Sequence, residues 1–219
     1  MTDPTRIVLL HATPVAMDPV KAAFAVDWPE AEIVNLLDDS LSPDRAREGP
    51  LSDAMIERFN ALGRYGHTTG ADGILVTCSA FGPAIDKMQR ELPIPVLKPN
   101  EAMFRAALEQ GRNIALLATF PPSVATMTEE FDEFMAETGA EARLTTILVA
   151  DAMTALRAGD AETHNRLIAE RAEELSVFDT VMLAHFSTSR AEPSLSARVD
   201  IPVLTAPGAA VRRMRELVV

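Results

Sequence analysis

The chain has 219 residues, 47% of them apolar, enough to bury the core of one large domain or two small ones. A net charge of −12 and only 5% aromatic residues argue against a nucleic-acid surface, a base-stacking platform or an anionic membrane as partner. One cysteine excludes an internal disulfide and fits a reducing cytoplasm; the first apolar run, residues 7–10, is too short for a signal core or a membrane span.

The predicted elements alternate. A strand at 6–10 exits through His11-Ala-Thr13-Pro14, and a helix at 19–26 follows with Asp18 at its N-cap. A strand at 31–37 leads to a loop at 38–43 expected to reach over strand ends. Met55, Phe59 and Leu62 share one side of a helix at 51–65. The strand at 73–77 runs into Cys78, and a helix at 83–91 starts after the Gly82-Pro83 break. A strand at 94–97 precedes a helix at 101–110, with Asn100 as N-cap and Gly111 as stop. Strands at 113–117, 144–149, 181–184 and 202–204 follow, with helices at 124–138, 161–175 and 209–217. Strands alternating with helices of this length imply parallel sheets covered on both faces.

The halves repeat at an offset of 107: Asp72 falls on Asp179, Cys78 on His185, and Ile94-Pro-Val-Leu97 on Ile201-Pro-Val-Leu204. Ile7, Leu9, Leu10 and Pro14 fall on Ile114, Leu116, Leu117 and Pro121 at the same offset, which slips only at 31–41. Three strand starts in one register indicate duplication rather than coincidence. The expected fold is therefore α/β with two pseudosymmetric lobes, each a short parallel sheet flanked by helices. Residues 1–98 form the first lobe with a connecting helix at 99–111; residues 112–205 form the second with a C-terminal helix at 206–219.

Cys78 stands where a buried strand ends, flanked by Thr77 and Ser79 and just before a helix, a setting that favours the thiolate. A free cysteine is also often a small buried hydrophobe, so the argument leans on its image. His185 occupies the equivalent strand end, and imidazole is an acid or base near neutral pH. The two are expected within about 10 Å of each other across a cleft, flanking one substrate. His11, Thr13, Thr77, Ser79, Thr119, Ser187 and Thr188 sit at or just past strand ends, where hydroxyls and backbone N–H groups suit a carboxylate or enolate. Leu37, Leu41, Phe81, Phe120 and Phe186 are candidate pocket walls. His67 reads as a helix-end residue, His164 as part of a charged helix face, and Asp38-Asp39 as a solvated loop. Arg212, Arg213 and Arg215 suit a helix C-terminus. There is no metal-ligand spacing, phosphate loop or Gly-x-Ser-x-Gly elbow.

Three stretches carry a family resemblance: Leu75-Val-Thr-Cys78-Ser-Ala-Phe-Gly-Pro83, Pro95-Val-Leu-Lys-Pro-Asn-Glu-Ala-Met103, and Leu183-Ala-His185-Phe-Ser-Thr188 with the later Pro-Val-Leu-Thr. In them the chain resembles the aspartate/glutamate/hydantoin racemase superfamily over nearly its whole length. The resemblance implies an active site between the lobes and no cofactor. It also implies two cysteines on opposite faces of the substrate α-carbon, one removing a proton and the other returning one. Cys78 matches the first of these, whereas His185 stands in place of the second. The two-thiol mechanism therefore does not carry over intact, and some single-cysteine relatives are decarboxylases of substituted malonates. The expected activity is racemisation or epimerisation of a small carboxylate or cyclic amide such as an amino acid or hydantoin, with Cys78 and His185 catalytic. The alternatives are a malonate-type decarboxylase and a non-catalytic small-acid-binding protein. A homo-oligomer is compatible with the sequence; a nucleic-acid or membrane partner is not expected.

Overall fold

In a computed structural model, which describes residues 4–48, 51–119 and 121–219, the duplicated apolar runs become the central strands of two parallel sheets. The first half runs β1 (Arg6–His11), a 3₁₀ turn, α1 (Met17–Asp27), β2 (Glu32–Leu37), α2 (Leu41–Glu48) and α3 (Asp53–Thr68). It continues with β3 (Gly73–Val76), a 3₁₀ turn at Ser79–Phe81, α4 (Gly82–Glu91), β4 (Val96–Leu97) and α5 (Glu101–Gln110). The second half runs β5 (Asn113–Ala118), α6 (Pro122–Thr138), β6 (Arg143–Leu148), α7 (Ala150–Arg157), α8 (Ala161–Ala169) and α9 (Ala172–Leu175). After β7 (Thr180–Leu183) come α10 (His185–Thr188), α11 (Glu192–Ser196), β8 (Val203–Thr205) and α12 (Ala206–Val218).

The sheets have orders β2-β1-β3-β4 and β6-β5-β7-β8, all parallel. The chain divides into two compact units. One comprises the described residues through Ala102 with Ala210–Val219, the other Met103–Ala209. In the first unit, Val8, Leu10, Ile74 and Val76 pack with Phe59, Phe81, Ile85 and Met88. The Phe59 and Phe81 rings stack with centroids 4.5 Å apart. In the second, Ala115, Leu117, Val181 and Leu183 pack with Ile168, Leu175 and Leu195. Within the first unit, α12 brings Met214 against Gly73 and Arg212 to Asp27.

Hydrogen bonds explain why particular residues repeat. The Asp72 carboxylate accepts from the Arg6 amide at 2.8 Å, and the Asp179 carboxylate accepts from the Arg112 and Asn113 amides at 2.7 and 2.8 Å. Each aspartate thereby pins the start of its unit's first strand. The repeated Ile-Pro-Val-Leu has the same logic. The Pro95 carbonyl accepts from Ile74 N–H at 2.8 Å, and that of Pro202 accepts from Val181 N–H at 3.0 Å. Each proline immediately precedes an edge strand, where its missing N–H costs nothing. The register slip is four residues: β6 starts at Arg143 against Glu32 of β2, an offset of 111.

Several expectations are corrected. The loop expected at 38–43 ends at Ser40, and α2 begins at Leu41. Arg58 bonds Asp38, Ser40 and Asp44, tying this turn down. Asp38 is thus paired rather than merely solvated; burial opposes its charged form, but bonds from Ser40 and Arg58 outweigh it and lower its pKa. The helices α7, α10 and α11 occupy stretches for which no helix was expected, and the single helix expected at 161–175 breaks between α8 and α9. His164 is fully buried instead of lying on a charged face, because it precedes Ile168 by one helical turn on the apolar side of α8. Leu41 and Phe81 fill the first core rather than a pocket wall. Phe120 lies outside the described residues.

Candidate active site

Cys78 leaves β3 with extended backbone, φ −135° and ψ 116°, and caps the 3₁₀ turn that feeds α4. It is partly buried and packs against the first core. Ser79 follows it, also partly buried. Thr77 precedes it, buried, with its N–H on the Leu10 carbonyl at 3.1 Å. The Thr77 hydroxyl lies 2.9 Å from His11 Nδ1, and His11 Nε2 lies 3.0 Å from Asn35 Oδ1. The His11 ring is therefore engaged at both nitrogens within its own unit and is fully buried. Burial pushes its pKa below the ordinary imidazole value; the Asn35 bond opposes the shift and Lys21 adds to it. Thr13 is partly buried and precedes the 3₁₀ turn Pro14–Ala16.

In the second unit His185 stands two residues past β7, as Cys78 stands two past β3. Its φ is +67°, the single positive value at a non-glycine among the described residues. Such a conformation costs an L-residue about 1–2 kcal/mol and is held by surrounding structure, which marks positions where geometry matters more than local ease. The side chain is partly exposed, and burial holds its pKa below the ordinary imidazole range. Thr119 and Thr188 are fully buried, with hydroxyl oxygens 3.4 Å apart. Ser187 is partly exposed, and its carbonyl accepts from Arg190 Nε at 3.0 Å.

The structure thus gathers Asn35, His11, Thr77 and Cys78 at one strand-end cluster, and Thr119, His185, Ser187 and Thr188 on the strand-end segments of the other unit. Asn35 was not singled out from sequence. A polar residue in mid-strand reads as an outward-facing one, and its partner lies 24 residues away. A cavity of about 430 Å³ in the second unit, lined by Leu148, Asp151, Leu167, Glu170 and Arg171 among others, includes none of these residues. Among the described residues no three His, Cys, Asp or Glu side chains form a metal-ligand group, and no helix is long and apolar enough to cross a membrane.

The chain matches the Asp/Glu/Hydantoin racemase family over residues 17–214. No curated protein matches it in sequence. Its fold is similar to allantoin racemase from Klebsiella pneumoniae, with TM-score 0.72 and 16% identity over 98% of this chain and 87% of that one. An aspartate racemase homologue from Pyrococcus horikoshii OT3 gives TM-score 0.71 and 16% identity over 98% and 99% of the two chains. A glutamate racemase from Bacillus anthracis gives TM-score 0.66 and 16% identity over 99% and 82%.

Proposed function

Because this chain belongs to the Asp/Glu/hydantoin racemase family, we propose that it is a cofactor-independent racemase or epimerase acting at the α-carbon of a small carboxylate or cyclic amide. The observation that carries this reading is the equivalence of Cys78 and His185. Two titratable side chains stand at the same step past the same strand of a duplicated unit. Proton exchange at a carbon acid needs one base and one acid, and inversion needs them to act on opposite faces of the planar intermediate.

Each of the two groups can then act as base toward one enantiomer and as acid toward the other. A neutral imidazole, the form that burial favours at His185, paired with a Cys78 thiol serves one enantiomer, and an imidazolium paired with a Cys78 thiolate serves the other. In the first case His185 takes the α-proton, an enolate forms, and the thiol protonates the opposite face. This leaves thiolate and imidazolium, the state required for the reverse substrate. The hydroxyls of Ser79 and Ser187 and neighbouring backbone N–H groups are proposed to hold the carboxylate as negative charge develops.

The solved neighbours set the first substrates to try: aspartate, glutamate, allantoin and simple hydantoins. In D₂O, the wild type is expected to exchange the α-hydrogen of one of these and interconvert its enantiomers, followed by NMR and chiral chromatography. Cys78→Ser should lower turnover about 10²–10⁴-fold while keeping binding. His185→Gln should abolish inversion yet leave slow one-faced exchange through Cys78. Retention of most activity in Cys78→Ser would remove the thiol from the mechanism. The presence of a single cysteine favours a second reading, decarboxylation of a substituted malonate with one acid protonating the enolate. Carbon dioxide release without exchange into the product's partner enantiomer would select it.

A further inference from the structure

The hydrogen-bonded chain Asn35–His11–Thr77 spans three neighbouring strands of the first unit: β2, the end of β1 and the residue after β3. With Asn35 Oδ1 facing the ring, His11 Nε2–H donates to it and the Thr77 hydroxyl donates to Nδ1. With the amide turned over, its N–H donates to Nε2, Nδ1–H donates to Thr77, and the Thr77 hydroxyl turns to the Leu10 carbonyl at 3.3 Å. The chain is unbroken in either orientation. It ends on the residue that immediately precedes Cys78.

The second unit shows that the fold does not require it. At the 107 offset, His11 becomes Ala118 and Thr77 becomes Ala184. On the neighbouring strand Thr146 pairs with Leu116 as Asn35 pairs with Leu9. The ladder there closes just as well: Ala184 N–H meets the Leu117 carbonyl at 2.9 Å, against 3.1 Å for Thr77 and Leu10. Burying an imidazole, an amide and a hydroxyl is costly unless all are satisfied, and a satisfied network rigidifies what it touches. The first unit carries this arrangement at the one strand end that leads into the thiol.

We propose that Asn35, His11 and Thr77 are positioning residues for Cys78: they lock the exit of β3 at Thr77, so that the thiol starts from a fixed point with one extended backbone conformation. The proposal rests on the reading that Cys78 carries chemistry, and it reassigns His11 and Thr77, expected from sequence to touch substrate, to a role behind the thiol. The charged group that bears on the His11 ring is Lys21 of α1, and with burial it keeps the ring neutral, which is the state the chain of bonds needs.

The chain's single cysteine makes the test specific, because iodoacetamide labelling reports one site. The full-length wild type is compared with the double variant His11→Ala/Thr77→Ala, which installs the residues of the second unit, with Asn35→Leu and with Thr77→Ser. Labelling rates are measured from pH 5 to 10 beside urea unfolding midpoints. The double variant is expected to label roughly tenfold more slowly at pH 7, with its inflection about one unit higher. Asn35→Leu should move the same way by less, and Thr77→Ser should stay within about twofold of wild type. A merely structural network would lower the unfolding midpoint and leave the profile of the folded protein unchanged, and that result overturns the proposal. If the double variant fails to fold, Thr77→Val, close in shape and lacking the hydroxyl, is read by the same criterion. The proposed function fails separately: wild-type labelling no faster than an ordinary thiol, with Cys78→Ser active, would sink that reading, whereas the positioning role stands or falls on the difference between wild type and variants.

Discussion

The two strand ends are built on one scaffold and finished in opposite ways. Both units have the same strand order, the same registers, an aspartate pinning the first strand and a proline carbonyl starting the edge pair. Past the last rung they part. Behind Cys78 lie the polar His11 and Thr77, where the second unit has Ala118 and Ala184. The next pair is reversed: Ala12 and Phe81 of the first unit correspond by offset to Thr119 and Thr188, whose hydroxyls face each other. Cys78 is extended and His185 left-handed. The difference teaches that the two halves repeat what holds strands together, whereas the residues around the two titratable groups do not repeat.

The largest effect is expected from importing one unit's solution into the other. Phe81→Thr places the second unit's residue at the equivalent position and removes a fully buried ring stacked on Phe59. It should cost about 3 kcal/mol. Amide hydrogen exchange should show the loss confined to the first unit, with protection in the second unchanged; equal loss in both would mean that the units do not open separately.

Acid should separate the units next. His11, His164 and His185 are all held below the ordinary imidazole pKa of 6.5, burial being the leading cause in each. They are neutral when folded and bind protons more readily when unfolded. Their contribution is therefore complete above pH about 6.5 and is lost as pH falls through the folded-state values. Two of the three lie in the second unit. Between pH 7 and 5.5 its hydrogen-exchange protection should fall further than that of the first unit, and a flat response would contradict the burial of these rings.

The smallest effect concerns the left-handed residue. Asparagine tolerates positive φ better than histidine, so His185→Asn should relieve up to about 1 kcal/mol, a rise of a few degrees in melting temperature. Inversion of substrate should be lost in the same variant. A lower melting temperature would show that the ring's packing outweighs the backbone strain.

Much of this was legible in the sequence because burial on both faces writes strands as continuous apolar runs. Residues 7–10, 74–76, 114–117 and 181–183 announce the central strands, and one shared offset announces the duplication. What was not legible depends on partners distant in sequence. The polar helix α2 has weak periodicity, and the turn before it is held by Arg58 from α3. Asn35 looked like any outward-facing strand residue until His11 was placed beside it. The burial of His164 is legible in its helical spacing to Ile168, although charged residues surround it in sequence. Of the candidate site, Cys78 stands out from its strand-end setting and His185 from the offset, whereas the hydrogen bonds of His11 and Thr77 are visible only in the fold.

The unit boundaries fall inside two helices, α5 at Ala102/Met103 and α12 at Ala209/Ala210, so the second unit is continuous in sequence and the first is not. During translation, residues 103–209 are all available before 210–219 emerge, so the later unit can close before the earlier one is whole. The segment that completes the first unit carries Val211 and Met214, both fully buried, with Met214 against Gly73. Until it arrives, the sheet that leads to the thiol lacks part of its cover, and the nascent chain would hold a finished second half beside a first half still waiting for its last helix.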